Sequence, residues 1–168
     1  MIHPAEALLL RELATLRREL EAYPDERQIW LLPPGLPNSA GTLTLHLAGN
    51  LQHFTGAVLG SSGFVRDRPA EFARRDVPRS ELLEHVTAAE AAIRRGFAAL
   101  TPERLEADYP EALAKHRFQT EDFLIHLATH CAFHLGQIDY HRRVVTGETA
   151  TVGPMDMKQL LTARPAEG

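Results

Sequence analysis

Residues 123–141 read Phe123-Leu124-Ile125-His126-Leu127-Ala128-Thr129-His130-Cys131-Ala132-Phe133-His134-Leu135-Gly136-Gln137-Ile138-Asp139-Tyr140-His141. An α-helix turns about 100° per residue, so positions four apart differ by only about 40° and one turn of rise. His126, His130 and His134 therefore form a ladder on one face, with His141 on nearly the same bearing about 10 Å further along. The apolar positions Phe123, Leu127, Ile138 and Val145 bracket that face, which predicts a ladder on the buried side. Buried imidazoles need partners for their nitrogens. Two histidines at i and i+4 can aim nitrogens at one ion, and a third ligand must then come from another helix. His46, spaced 3, 4 and 8 residues from Leu43, Asn50 and Phe54, is the candidate.

Outward from this helix the chain reads as helical throughout. The helix itself starts after Thr120, with Glu121 and Asp122 at its positive end. It runs to about Val145, where Arg142 and Arg143 precede Thr146-Gly147. A first helix from about Pro4 to Tyr23 carries the stripe Leu9, Leu13, Leu16, Leu20. A second runs from Asn38 or Ser39 to Leu59-Gly60, with Leu43, Leu47, Leu51, Phe54 and Val58 as its stripe. A third follows Ser80 through Leu82, Val86, Ala89, Ile93, Phe97 and Leu100. Thr101-Pro102-Glu103 resembles a new cap and a short extra helix. Residues 60–78 read as one long loop, long enough to cover a site. The expectation is an all-α, up-and-down four-helix bundle over residues 1–147 and a C-terminal tail over 148–168, with one weak helical turn near Asp156 to Leu161.

Composition narrows the function. The chain has 168 residues, 44% of them hydrophobic and 24% charged, with a net charge of −4, nine histidines and a single cysteine. This is a globular mixture without the basic balance of a nucleic-acid binder. No apolar run reaches the length that spans a bilayer. Met1-Ile2-His3-Pro4 lacks the pattern of a secretion signal. One cysteine excludes an internal disulfide and a multi-cysteine zinc knuckle, which fits a cytoplasmic location. A metal would need histidine or carboxylate ligands. Cys131, about 100° from His130, reads as a small core residue. His53, His126 and His141, taken singly, read as core histidines with one satisfied hydrogen bond, and whether any joins the site stays open. His3, His85 and His116 read as capping or solvated.

The run from His130 to Ile138 resembles the signature of the DinB/YfiT-like superfamily of metal-binding four-helix bundles, and Thr42-Leu43-Thr44-Leu45-His46-Leu47-Ala48 fits its first histidine element. Leu135 stands where arginine is common in that family. The resemblance implies a divalent metal, zinc or nickel, on His46, His130 and His134. It also implies a metal-dependent enzyme acting on a small-molecule substrate: a thiol S-transferase using a bacillithiol- or mycothiol-type thiol, or a related hydrolase. The alternative is a non-catalytic metal-binding or dimerisation bundle of stress-response type. Such a thiol would need cationic partners, for which Arg66, Arg68, Arg142 and Arg143 are candidates, with Arg74 and Arg75 behind them. Asp139 and Tyr140 are candidates for orienting ligands. The leucine stripes of the first and third helices offer a subunit interface for a homodimer.

Overall fold

The protein is described by a computed structural model covering residues 3–153 and 157–166. Helix α1 spans Pro4–Glu21, and the His3 side chain caps it by accepting from the Ala5 N–H at 3.1 Å. Asp25 caps a short 3₁₀ turn, Glu26–Trp30. The Trp30 indole donates to the Val77 carbonyl and lies flat on Gly41, where a Cβ would stand 2.5 Å from the ring. Helix α2 spans Ala40–Leu51, starts at Ser39 as its cap, and is buried along its whole length. It is the central rod.

Beyond Leu51 the chain does not continue as the single α-helix expected to Leu59. Residues Gln52–Leu59 open into a π-helix, closed by the Gly60 N–H bonding the Thr55 carbonyl at 3.0 Å. Close packing against the next long helix, α4 (Arg79–Ala98), accounts for the wider turn. A Cβ at Gly56 would sit 2.8 Å from the Ala92 Cβ, and one at Gly96 only 2.3 Å from the Thr55 carbonyl oxygen. Gly96→Ala should therefore force two backbones apart and destabilise the protein by about 1–3 kcal/mol in a denaturant titration. An unchanged midpoint would contradict this packing.

The loop expected over 60–78 contains a helix of its own, α3, Arg68–Ala73, capped by the Asp67 side chain accepting from the Ala70 N–H at 3.0 Å. Six residues are too few to carry a readable period. The short extra helix after Thr101 is present as α5, Pro102–Glu106. Residues 107–119 fold back on themselves through two isolated bridges, Asp108 with Gln119 and Leu113 with His116. Helix α6, Thr120–Thr146, stops at Gly147, whose φ of +76° is the left-handed conformation that favours glycine. In the tail a 3₁₀ turn covers Met157–Gln159; Asp156, where the predicted turn begins, lies outside the described residues.

The four long rods form an all-α bundle, as expected, with α1 and α2 each packed on both α4 and α6. Their directions refine the simple alternation. His3 approaches Glu121 at one end of the α1–α6 pair and Glu19 meets Arg142 at the other, so these two helices are parallel. Gly56 faces Ala92 and Arg95 bonds the Gly60 carbonyl, so α2 and α4 are parallel too. Phe54 packs on Phe123 and His46 on His134, so α2 and α6 are antiparallel. The order is up, down, down, up. Residues 61–78 make it possible: extended, they reach about 60 Å, enough to climb back along the roughly 30 Å of α4.

One core fills the bundle. Leu9, Leu13, Leu16 and Leu20 of α1 and Leu82, Val86, Ala89 and Ile93 of α4 are completely buried within it. The stripes proposed as a subunit interface are thus spent inside the monomer. The buried residues of α6 are Thr120, Phe123, Leu124, Leu127, Ala128, Cys131, Leu135, Ile138, His141 and Arg142, whereas His126 is exposed and His130 and His134 are half-buried. That places the ladder of His126, His130 and His134 at the edge of the core stripe rather than on it. Among the described residues no helix is long and apolar enough to cross a membrane.

Candidate metal centre

His46 leaves α2 and meets His130 and His134 of α6. The Nε2 atoms of His46 and His130 are 3.4 Å apart, and those of His130 and His134 3.1 Å. All three donor atoms lie within 4.8 Å of one another. Ligands at about 2.0–2.1 Å from one tetrahedral ion are about 3.3–3.4 Å apart, so the spacing is that of a shared metal.

Hydrogen bonds on the outer nitrogens set the tautomers. His46 Nδ1 donates to Glu71 Oε2 at 3.0 Å, and His134 Nδ1 donates to the Gln137 amide oxygen at 2.7 Å. With Nδ1 protonated in both rings, both Nε2 atoms present lone pairs to the same point. A proton on His130 Nε2 could satisfy only one of them, so the donor set calls for a cation and fits a divalent ion. Protons compete weakly here. Burial, then the neighbouring His134 and His46, push the His130 pKa down to about 4; burial also lowers His134, beyond what the Gln137 bond restores. Both rings are neutral at pH 7, the form that ligates.

Glu71 is the residue that sequence reasoning missed. Helix α3 carries it onto α2, where Arg66 forks around its carboxylate at 2.6 and 2.9 Å. Burial works to raise the Glu71 pKa, but the bonds from His46 and Arg66 outweigh it and hold the carboxyl below its usual range. The carboxylate lies directly on the backbone of α2: a Cβ on Gly49 would come within 2.1 Å of Glu71 Oε1. Gly49→Ala should therefore expel Glu71 from its place behind His46 and weaken metal binding by about 10- to 100-fold, the usual cost of losing such an orienting partner. A competitive chelator titration checks this, and unchanged affinity would remove Glu71 from the site.

The remaining candidates lie elsewhere. His53, in the π-helical segment, pairs with Glu111 at 2.9 Å. His126 is exposed and stacks between Phe123 and His130. His141 is a core residue: its Nδ1 meets the Tyr23 hydroxyl and its Nε2 the Leu31 carbonyl, both at 2.8 Å. Arg66 bonds Glu71 and its guanidinium also comes within 3.4 Å of His46 Nδ1, while Arg68 lies exposed over the Phe72 ring. Arg142 is buried against Glu19, and Arg143 lies between Asp139 and the Tyr140 ring, so neither faces the histidines. Arg74 pairs with Glu81, and Arg75 donates to the carbonyls of Phe72 and Arg74. Gln137, not Asp139 or Tyr140, orients a ring of the cluster. Cys131 is buried, and burial pushes its thiol up to about 12. Leu135 is in the core.

A family model described as the DinB superfamily matches residues 8–138, a span that contains all three histidines. Searches of curated proteins and of solved structures return no match.

Proposed function

The chain belongs to the DinB superfamily, and from that premise we propose that it is a divalent-metal-dependent enzyme whose His46, His130 and His134 hold zinc or nickel. The reaction proposed is S-transfer from a low-molecular-weight thiol of the bacillithiol or mycothiol type to a small electrophile, or the related hydrolysis with water in place of the thiol. The observation that carries this reading is the convergence of three Nε2 atoms from two helices on one point. His46, His130 and His134 would hold a divalent ion as three neutral ligands, and the ion would supply the charge that favours the deprotonated form of a thiol or water.

The chain's own residues supply the rest. Glu71 and Gln137 fix two of the rings in the ligating tautomer. Arg66 cancels the Glu71 charge, so the shell behind the ligands adds no net negative charge to the site. In the proposed transfer the thiol gives up its proton to solvent, sulfur bonds to the electrophilic carbon, and the leaving group departs with its bonding pair. Cytoplasmic location and a homodimer complete the proposal; with the leucine stripes spent in the core, the dimer must use another surface, and mass measurement across a concentration series checks it.

One observation favours the non-catalytic alternative. Glu71, the carboxylate that touches the cluster, is already engaged by both Arg66 and His46. The discriminating assay loads the protein with zinc or nickel and follows loss of a cysteinyl thiol in the presence of 1-chloro-2,4-dinitrobenzene. Metal-dependent thiol loss above the rate of a His130→Ala control supports the enzyme. Equal rates, with stoichiometric metal in the wild type, support the alternative.

A further inference from the structure

A groove of about 250 Å³ lies one helical turn beyond the histidine cluster, between the connector ahead of α2 and the outer side of α6, and reaches the cluster through Gln137. Leu36, Leu43, Gln137, Tyr140 and Val144 line it. Leu43 precedes His46 by one turn on α2, and Gln137 follows His134 by one turn on α6. Because the two helices are antiparallel, both steps lead out of the cluster in the same direction, into this groove. Gln137 belongs to both, since its amide oxygen holds His134 Nδ1.

The two flanks of the cluster differ in charge. On one side residues 66–74 bring Arg66, Asp67, Arg68, Glu71 and Arg74. On the other, no Asp, Glu, Lys or Arg lines the groove; its polar groups are Asn38, the Gln137 amide and the His141 ring, which is tied to Tyr23 and the Leu31 carbonyl. A nearby cation, Arg143, lies against the Tyr140 ring and pairs with Asp139. Leu36, Tyr140 and Val144 are all more than a third exposed, an apolar surface that a guest would cover. The volume falls just below the roughly 300–1,000 Å³ of pockets that enclose a whole drug-sized ligand. It fits one limb of a molecule.

We propose that this groove is the substrate-specificity subsite of the metal centre, and that it takes the uncharged aromatic or branched-alkyl limb of the electrophile. The electrophile's reactive carbon then lies over the three histidines and its apolar limb runs past Gln137 towards Val144. This assignment rests on the metal-site reading above, and it predicts that charged electrophiles are poor substrates beside neutral aromatic ones.

The probe is 4-fluorobenzyl alcohol, followed by ¹⁹F relaxation in the full-length protein loaded with Co(II) or with Zn(II). The expected result is saturable relaxation enhancement in the Co(II) form only. Val144→Glu, a change at an exposed position, should reduce it by about tenfold by placing a charge in the apolar groove. Ile125→Glu, in the separate apolar groove between α1 and α6, should leave it unchanged. Wild type that retains Co(II) yet gives no enhancement overturns this inference alone, as does loss of the effect in Ile125→Glu but not in Val144→Glu. Wild type that retains no Co(II) overturns the metal reading and this inference together.

Discussion

His130→Ala should leave a folded protein that no longer retains metal. Its Nε2 is the atom nearest to both other donors, 3.4 Å from His46 and 3.1 Å from His134. Without it, two imidazoles on different helices remain, and they hold an ion far less tightly than three. Disturbing an outer partner costs about 10- to 100-fold in affinity; removing a ligand should cost about a thousandfold or more, about 4 kcal/mol. The fold should tolerate the change. His130 is half-buried at the core's edge, and its depressed pKa reports an imidazole that gains nothing from its surroundings in the charged form. Dialysed protein assayed by plasma mass spectrometry should contain metal in the wild type and in His53→Ala, and almost none in His130→Ala. Circular dichroism should be alike for all three.

Arg142→Leu should produce the largest loss of stability. Glu19 is wholly inaccessible to solvent, and among the described residues its ion-pair partner is Arg142, whose Nε lies 2.5 Å from Oε2. Among the described residues Glu19 Oε1 meets no hydrogen-bond partner. Removing the guanidinium strands a carboxylate in the α1–α6 interface, at a cost of about 3–5 kcal/mol. It also frees the Ala150 carbonyl, through which Arg142 holds the start of the tail. The pH dependence has a definite sign. Burial already raises the Glu19 pKa against the pull of Arg142, and without Arg142 only the raising influences, burial and Asp139, remain. Folding of the variant then takes up a proton above the carboxyl's unfolded pKa, so its deficit relative to wild type should be greatest at pH 7 and shrink on acidification. Glu19→Leu combined with Arg142→Leu should regain most of the loss. Chemical denaturation at pH 7 and pH 5 tests this. A deficit under about 1 kcal/mol, or one that grows at lower pH, would contradict the account.

The four long helices were legible because each repeats its apolar stripe over about three or more turns, and Ser39, Thr101 and Gly147 mark real ends. The convergence of His46 with His130 and His134 was legible from helical spacing together with the family resemblance. Three features were not. Helix α3 is too short to show a period, and the role of Glu71 depends on residues 61–78 climbing back along the bundle, which no local pattern encodes. The π-helix lies where Gly56 and Gly96 let two helices approach closely, a tertiary contact that no local pattern shows. Arg142 and Arg143 sit where cations suit any helix end, so sequence could not distinguish a solvated or ligand-binding arginine from one buried against Glu19, a residue 123 positions away.

The central claim is that one ion is shared by histidines of α2 and α6, and anomalous diffraction from crystals of the metal-loaded protein tests it most directly. The account predicts one strong peak at the metal's absorption edge, about 2.0–2.1 Å from the Nε2 atoms of His46, His130 and His134. A metal-loaded protein whose peak lies elsewhere, such as between His53 and Glu111, or that touches only the α6 histidines, would contradict it.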